Sequence, residues 1–210
     1  MRVQKFTHAR LLVETGAARL LIDPGSFSQG FEHLDGLTAV LITHQHPDHI
    51  DVDRLLPLLE RNGDAQLIAD VGTAQQLRDG HGLEATVATA GDRFDVGATV
   101  EVLGEQHAEI HPDIPRIPNA GYLVDGRLFH PGDALTDPGR DVEVLALPAS
   151  APWMRLSEAV DYLRAVRPRH AVPIHEAVTR VPNLFYDALR GLGPAGTELR
   201  VIDDGAPVEF

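Results

Sequence analysis

The chain has 210 residues, 43% of them hydrophobic and 23% charged, which excludes a disordered chain, a collagen-like repeat and a membrane bundle. The net charge of −13, from 31 acidic and 18 basic residues, disfavours a nucleic-acid partner, because binding to nucleic acid depends on phosphate neutralisation by lysine and arginine. The absence of cysteine excludes disulfides, thiolate nucleophiles and cysteine metal sites, so any metal must be bound by carboxylates and the 11 histidines.

The first half of the chain alternates short apolar runs with two helices. Asp51 or Asp53 caps the first helix, with Pro57 confined to its first turns, and Gly80 ends a second helix that begins at Thr73. The predicted strands, in chain order, are Val3 to Thr7, Arg10 to Glu14, Ala18 to Ile22, Ala39 to Ile42, Gln66 to Ala69, Ala85 to Val87, Thr99 to Leu103, Gly121 to Val124 and Arg127 to His130.

The second half repeats this alternation more loosely. Helical spacing predicts one helix from Ser157 to the stop at Arg167-Pro168, and another from Asn183 to Leu192. The predicted strands are Val142 to Leu147, Ala171 to Ile174 and Glu198 to Ile202. Strand clusters flanked by helices in both halves indicate an α+β fold in which two sheets pack together with helices outside.

No polar linker, repeat or low-complexity run divides the chain, so we expect a single domain over residues 1–210. The N-terminal segment has no continuous apolar core of the kind found in secretory signals. No apolar run approaches the roughly 20 residues that span a bilayer. We therefore expect a cytoplasmic protein without a membrane partner, and its oligomeric state is not readable from the sequence.

The segment THQHPDH, residues 43–49, carries the clearest chemical signal. It follows the apolar strand that ends at Ile42, and its metal-binding side chains are His44, His46, Asp48 and His49. Imidazole and carboxylate together suit zinc, manganese or iron. Four ligands in one loop exceed what one tetrahedral ion can use while leaving room for a substrate, which indicates two adjacent ions. The alternative is a histidine-rich surface loop, and the position directly after a buried strand argues against it.

The H-x-H-x-D-H spacing resembles the signature of the metallo-β-lactamase-fold hydrolases, and more narrowly the compact branch that includes sugar-phosphate lactonases. The resemblance implies an αβ/βα sandwich, with two mixed sheets packed face to face and helices on the outer faces. It also implies that His44 and His46 bind a first metal, and that Asp48 and His49 bind a second. The implied cofactors are two divalent transition-metal ions, with zinc preferred and manganese or iron as alternatives.

The same resemblance implies three further ligands in chain order. His107, just beyond the strand that ends at Leu103, would complete the first site, with His111 as its competitor. Asp133 stands in a Gly-Asp pair after a strand, where the family has a carboxylate between the two ions. His175 lies at the carboxyl end of a late strand and would be the last ligand.

Three other residues near these ligands are assigned supporting places. His170 lies roughly 16 Å from His175 in an extended strand, too far to share its ion. His130 is interpreted as a packing or supporting residue. Asp23, after an early buried strand, is expected to sit behind the metal histidines and orient them, and a simple turn residue before Pro-Gly is the alternative.

The resemblance implies metal-assisted hydrolysis, in which two cations activate a water and polarise the bond that is cleaved, while Asp48 or Asp133 transfers a proton. We expect a small metabolite ester, lactone or phosphoester as substrate. The loop from Pro112 to Asn119 would shape the pocket, and Trp153 would either wall the site or pack elsewhere. The alternatives are a non-catalytic metal-binding or regulatory domain, a subunit of an assembly, and a nuclease-type phosphodiesterase, which the acidic charge disfavours.

Overall fold

A computed structural model gives the structure of the chain and describes residues 1–202 and 205–210. Over these residues the strands are β1 (Arg2–Lys5), β2 (Leu11–Thr15), β3 (Ala18–Ile22), β4 (Ala39–Ile42), β5 (Gln66–Asp70), β6 (Thr86–Ala88), β7 (Arg93–Asp95), β8 (Thr99–Leu103), β9 (Gly121–Val124), β10 (Leu128–His130), β11 (Val144–Pro148), β12 (His170–Ile174), β13 (Glu198–Leu199) and β14 (Pro207–Glu209). The helices are α1 (Val52–Arg61), α2 (Val71–His81), α3 (Leu156–Val166) and α4 (Pro182–Leu192), and a 3₁₀ turn covers Glu176–Val178.

Within the described residues the strands form two mixed sheets of seven strands each. The first has the order β14-β1-β2-β3-β4-β5-β6 and the second the order β13-β12-β11-β10-β9-β8-β7. In each sheet the strands from β3 to β6, or from β10 to β13, run parallel, and the remaining neighbours are antiparallel. This architecture confirms the predicted α+β sandwich.

Alternating side chains place the core in three layers. In β2, Leu11 and Val13 point into the apolar cluster between the two sheets, whereas Leu12 joins the cluster under α1 and α2. In β11, Val144 likewise faces the other sheet, and Leu145 packs beneath α3 and α4. The central strands are buried on both faces, which explains their continuous apolar runs.

The structure corrects several predicted boundaries. The first strand ends at Lys5 instead of Thr7, because Thr7 and His8 have φ values of 54° and 59° that no strand tolerates. The second helix runs through Gly80 and ends at Gly82, which adopts the left-handed conformation typical of a helix C-terminus.

Two edge strands, β7 and β14, were not predicted at all. Their side chains are mostly exposed, so neither strand carries an apolar run that the sequence pattern could reveal. The last predicted strand shortens to Glu198–Leu199, and other boundaries shift by one or two residues. Among the described residues, no helix combines the length and the apolar character needed to cross a membrane.

Candidate metal centre

The candidate site lies where the parallel strands of both sheets end. Asp23 follows β3 and the 43–49 loop follows β4, both in the first sheet, while Asp133 lies three residues beyond β10 in the second sheet. His175 follows β12 directly. Crevices at the carboxyl ends of parallel strands are a common place for ligand sites, because the loops that leave several strands converge there.

The first group of metal-binding atoms comes from His44, His46, His107 and Asp133. One ligand atom from each lies within 4.8 Å of all the others. The Nε2 atom of His44 is 3.1 Å from Nδ1 of His46, and the Nε2 atom of His107 is 3.3 Å from Oδ2 of Asp133. The structure therefore brings together the three histidines predicted for the first ion, and it includes the predicted shared carboxylate with them.

The second group consists of three buried histidines, His8, His49 and His175, whose ligand atoms also lie within 4.8 Å of one another. His49 was predicted as a ligand of the second ion and His175 as the last ligand of the site, whereas His8 was not predicted. Asp48, the other predicted ligand, lies beside this group: its Oδ2 atom is 3.8 Å from Nε2 of His49 and 3.0 Å from Nε2 of His8.

Asp133 stands between the two groups and offers one oxygen to each. Its Oδ2 atom faces His107 and His44, at 3.3 Å and 3.9 Å from their Nε2 atoms. Its Oδ1 atom lies 3.0 Å from Nε2 of His49 and 2.9 Å from Nε2 of His175. This is the arrangement that a carboxylate bridging two ions would need.

Asp23 orients two of the metal histidines from behind. The Nδ1 atom of His49 donates to its Oδ2 atom at 2.7 Å. The Thr43 hydroxyl donates to the same oxygen at 2.7 Å and lies 3.0 Å from Nδ1 of His44, from which it can accept. Both imidazoles are thus held with Nδ1 turned away from the site and Nε2 turned into it, as expected for metal ligands with a supporting acceptor.

Local backbone and side-chain contacts fix the remaining ligands. The Nδ1 atom of His107 donates to the carbonyl of Ala108 at 2.6 Å, which leaves Nε2 facing the site. The backbone N–H of Asp133 donates to the side-chain oxygen of Asn119 at 3.0 Å. Gly132, at a φ of 64°, packs so closely against Asn119 and Thr43 that a side chain there would collide with both. Glycine therefore permits the tight turn that directs Asp133 inward.

Trp153, the only tryptophan in the chain, forms part of the wall of the site. Its indole Nε1–H donates to Oδ2 of Asp133 at 2.7 Å. Its ring meets His107 and His175 edge-on, with centroid distances of 5.9 Å and 6.5 Å. The structure thus decides between the two placements that the sequence left open for this residue.

The donor set fits transition-metal ions. Several buried atoms of both groups crowd together in the site without a well-aligned hydrogen bond: Nε2 of His49 and Nε2 of His175 lie 3.0 Å and 2.9 Å from Oδ1 of Asp133, and Nε2 of His107 lies 3.3 Å from its Oδ2 atom. Burying such polar atoms without partners is costly. Cations between the two groups would satisfy them together, and the mixture of imidazole and carboxylate ligands matches zinc, manganese or iron.

Electrostatics inside the site favour the protonation states that bind cations. Burial, with the nearby His49, holds the pKa of His44 well below its ordinary value. Burial alone would raise the pKa of Asp133, but His175, His49 and His44 outweigh it and hold that pKa well below the usual range. Burial likewise opposes the shift at Asp48, where the hydrogen bond from His8 and the charge of His49 bring the pKa to about 2.

His49 is the exception among these groups. Burial acts to lower its pKa, but Asp133 and Asp23 outweigh burial and raise the pKa well above its ordinary value. The two carboxylates therefore favour a proton on His49, and a cation at Nε2 would have to compete with that proton.

Three histidines that the sequence analysis weighed as ligands or supporting residues, His111, His130 and His170, stay outside both groups. The side chain of His111 is 61% exposed and accepts from the backbone N–H of Asp113. His130 is buried and hydrogen bonds to the carbonyl of Ala9 at 2.8 Å, in agreement with its interpretation as a packing residue. His170 lies at the opposite end of β12, 3.2 Å from Glu198.

His8 is the site residue that the sequence analysis missed. The predicted strands Val3 to Thr7 and Arg10 to Glu14 leave His8 between them without an assigned role. The sequence offers only a histidine in a short connection between two strands, and the burial of that connection beside Glu176 and His175 is visible in the folded chain alone.

Comparisons with known proteins give the family and the fold of the chain. The family model described as the beta-lactamase superfamily domain matches residues 2–175. Protein Rv0786c of Mycobacterium tuberculosis is 50% identical over the full length of both chains. The UPF0173 metal-dependent hydrolase of Pyrobaculum arsenaticum is 28% identical over 83% of this chain and 84% of its own. The structure of Igni18, a metallo hydrolase from Ignicoccus hospitalis, superimposes with a TM-score of 0.72 at 20% identity over 100% of this chain and 98% of that one.

Proposed function

Because the chain belongs to the beta-lactamase superfamily domain family, we propose that it is a metal-dependent hydrolase that acts on a small-molecule ester, lactone or phosphoester. The observation that carries this proposal is the pair of buried ligand groups that share Asp133 at the edge of both sheets. The sugar-phosphate lactonase branch and the cytoplasmic location stay predictions.

The residues are proposed to divide between two divalent ions. His44, His46 and His107 would hold the first, and Asp48, His49 and His175 the second, with Asp133 between them. Zinc is the preferred metal, with manganese or iron as alternatives. When bound, two such ions supply Lewis-acid polarisation of the scissile group and lower the pKa of a water molecule.

The protein's own contribution is to hold these ligands ready and to shape the approach. Asp23, Thr43 and the Ala108 carbonyl orient the imidazoles, so that little reorganisation accompanies the reaction. The side chain of Asp48 is 24% exposed, against 8% for Asp133. Asp48 is therefore the carboxylate that a substrate can reach, and we assign it the transfer of a proton during turnover.

A groove beside Trp153 supports a small substrate. It has a volume of about 460 Å³ and is lined by residues next to two ligand-bearing loops, among them Ala108, Trp153 and Arg155. A volume of this order suits a metabolite instead of a polymer. Trp153 gives the groove an apolar wall, and Arg155 stands among its charged lining residues together with Glu109 and Glu158.

Metal analysis and a hydrolysis screen test the proposal together. The purified protein would be stripped with a chelator, reloaded with zinc, manganese or iron(II), and assayed on nitrophenyl acetate, a butyrolactone and bis-nitrophenyl phosphate. We expect two ions per chain and hydrolysis of at least one probe that chelation abolishes and metal restores. A ceiling of one ion in folded protein would contradict the two-metal site. Two ions without metal-dependent hydrolysis of any probe would favour the non-catalytic alternative.

A further inference from the structure

We propose that His8 is a positioning residue of the metal centre, whose imidazole holds the Asp48 carboxylate against the second group of ligands. This inference rests on the proposed two-metal function and adds a residue to it. His8 lies in the turn between β1 and β2. It is far from the 43–49 loop in the chain but close to it in the folded protein.

The contacts of His8 connect Asp48 to the rest of the second group. Its Nε2 atom lies 3.0 Å from Oδ2 of Asp48. Its ring stacks on His175 with a centroid distance of 4.9 Å and an interplanar angle of 28°, and it meets the ring of His49 edge-on at 5.8 Å. The side chain of His8 is 1% exposed. A fully packed imidazole therefore anchors a carboxylate that is itself partly open to solvent.

The surroundings of His8 select one tautomer. With the proton on Nε2, the ring donates to Asp48, and Nδ1 is a bare lone pair in its buried position without a partner. With the proton on Nδ1, a buried N–H would lack an acceptor, and the lone pair of Nε2 would face a carboxylate oxygen. The second arrangement costs more. His8 thus acts as a hydrogen-bond donor to Asp48 through Nε2.

A buried ion pair holds the backbone of His8 in place. The N–H of His8 donates to Oε1 of Glu176 at 2.8 Å, and the same carboxylate pairs with the buried Lys5. The backbone N–H of His175 donates to the carbonyl of His8 at 3.4 Å. The φ value of His8 is 59°. Residues in such sparsely populated conformations persist where the surrounding contacts over-determine them, and they concentrate at functional sites.

His8 gives Asp48 the support that the other ligands receive elsewhere. Asp23 and Thr43 support His49 and His44, and the Ala108 carbonyl supports His107. Outer contacts of this kind set the orientation of a ligand, and their loss typically weakens metal binding by roughly 10–100-fold.

Three substitutions at His8 separate donor placement from other effects. His8→Ala removes the donor. His8→Gln puts an amide N–H close to the position of Nε2, whereas His8→Asn puts it close to Nδ1. Asparagine tolerates the left-handed backbone better than glutamine, so a purely structural role predicts that Asn is the better replacement. Donation to Asp48 predicts the opposite order.

The readouts are the affinities of both ions, from chelator competition with zinc, and the absorption spectrum of the cobalt(II) form. We expect His8→Ala to weaken the second ion by roughly 10–100-fold while the first ion changes by less than about threefold. We expect His8→Gln to recover most of this loss and His8→Asn to recover little. The surface histidine His33 provides the matched control, because His33→Ala should leave both affinities unchanged.

The other outcomes would contradict either the positioning role of His8 or the proposed two-metal function. Unchanged affinity for the second ion in His8→Ala, or a better recovery with Asn than with Gln, would overturn the positioning role. If His8→Ala changed the cobalt(II) spectrum as expected for the loss of a nitrogen ligand, and His8→Gln did not restore it, His8 would be a direct ligand and the positioning role would be wrong. Wild-type protein that binds fewer than two ions would instead contradict the proposed function. Melting temperatures of the metal-free variants show whether each has folded.

Discussion

At the scale of single residues, the metal centre is built on unusual backbone conformations. Asp23, His8 and His175 have φ values of 51°, 59° and 70°, in the left-handed region that residues other than glycine rarely adopt. Each such residue costs on the order of 1–3 kcal/mol. The hydrogen bonds of Asp23 and the contacts between His8 and His175 keep these conformations in place. The directions of the side chains are therefore set by the folded backbone.

The assignment of His107 is tested by comparing it with His111. His107→Ala should abolish binding of the first ion, because its buried Nε2 atom points at Asp133. His111→Ala should leave the metal content nearly intact, because that side chain is largely exposed and belongs to neither group. Elemental analysis of both variants after zinc saturation decides the question, and the reverse result would show that the wrong histidine was assigned.

Asp133 is predicted to matter far more than an ordinary turn aspartate. Asp133→Asn preserves the shape of the side chain and its contact with Trp153 but removes the negative charge that faces both groups. We expect it to weaken the second ion and to lower any hydrolytic rate by orders of magnitude, with the fold intact. Circular dichroism controls for folding, and two tightly bound ions with full activity would reduce Asp133 to a structural role.

At the scale of elements, close packing between two loops positions the metal-binding segment. Gly25 lies so near the backbone of Asp48 and His49 that a Cβ atom would overlap the Asp48 carbonyl. Gly25→Ala should therefore push the 43–49 loop outward, lower stability by about 1–3 kcal/mol and weaken both ions. Denaturant unfolding and metal content measure the effect. Gly63→Ala, where nothing lies within 4 Å, is the matched control, and equal effects at both sites would refute this packing argument.

Asp70, the capping residue at the N-terminus of α2, is a carboxyl group whose charged form is disfavoured by burial. Asp70 caps this helix through Oδ1, which accepts from Gly72 and Thr73, while its buried Oδ2 atom has no partner. Burial raises the pKa of Asp70 to about 6. Because the folded-state pKa lies above the unfolded value, the stability contributed by the protonated form is complete below pH 4 and is lost as the pH rises through 6.

Asp70→Asn should therefore stabilise the metal-free protein at pH 8, since asparagine keeps the cap without the buried charge. We expect a gain of about 1–3 kcal/mol that shrinks toward pH 4. Denaturant unfolding at several pH values measures the difference from wild type. Asp51→Asn, at the more exposed cap of α1, serves as the control for the general effect of replacing a capping aspartate by asparagine. If the free energy of unfolding of Asp70→Asn differed from that of wild type by the same amount at every pH, the burial of the Asp70 charge would not be the cause.

At the scale of the whole molecule, the proposed metal ligands come from both sheets. His44, His46, Asp48 and His49 follow a strand of the first sheet, whereas His107, Asp133 and His175 follow strands of the second. Ions bound between them would tie the two halves of the sandwich together at one edge. An ion that binds the folded state only adds its binding free energy to stability.

Metal removal should therefore lower the stability of the entire chain. An ion present at 100 times its Kd contributes about 2.7 kcal/mol, so chelation should lower the melting temperature by several degrees. Trp153, which contacts Asp133 and His107, should report the same event through its fluorescence. Calorimetry with and without chelator provides the measurement, and an unchanged melting temperature after verified metal removal would contradict this stabilisation.

Local pattern was sufficient for the centre of each sheet and for the ligands that stand at strand ends. The predicted bounds of Ala18–Ile22, Ala39–Ile42, Thr99–Leu103 and Gly121–Val124 match the structure. Three of these four strands are buried along most of their length, and their sequences are correspondingly rich in apolar residues. The spacing in residues 43–49 predicted the family in the same way, because four of its ligands are neighbours in the chain.

Three features are apparent only in the folded chain: the position of His8 in the site, the wall formed by Trp153, and the edge strands β7 and β14. His8 reaches Asp48 and His175 because the two sheets pack with their strand ends together, and no local spacing records that approach. The edge strands expose most of their side chains, so their pairing depends on the neighbouring strand instead of on an apolar run. Residue types and their spacing in the chain show which side chains can bind metal. The packing of the two sheets brings some of these side chains together and provides the contacts that hold them in place.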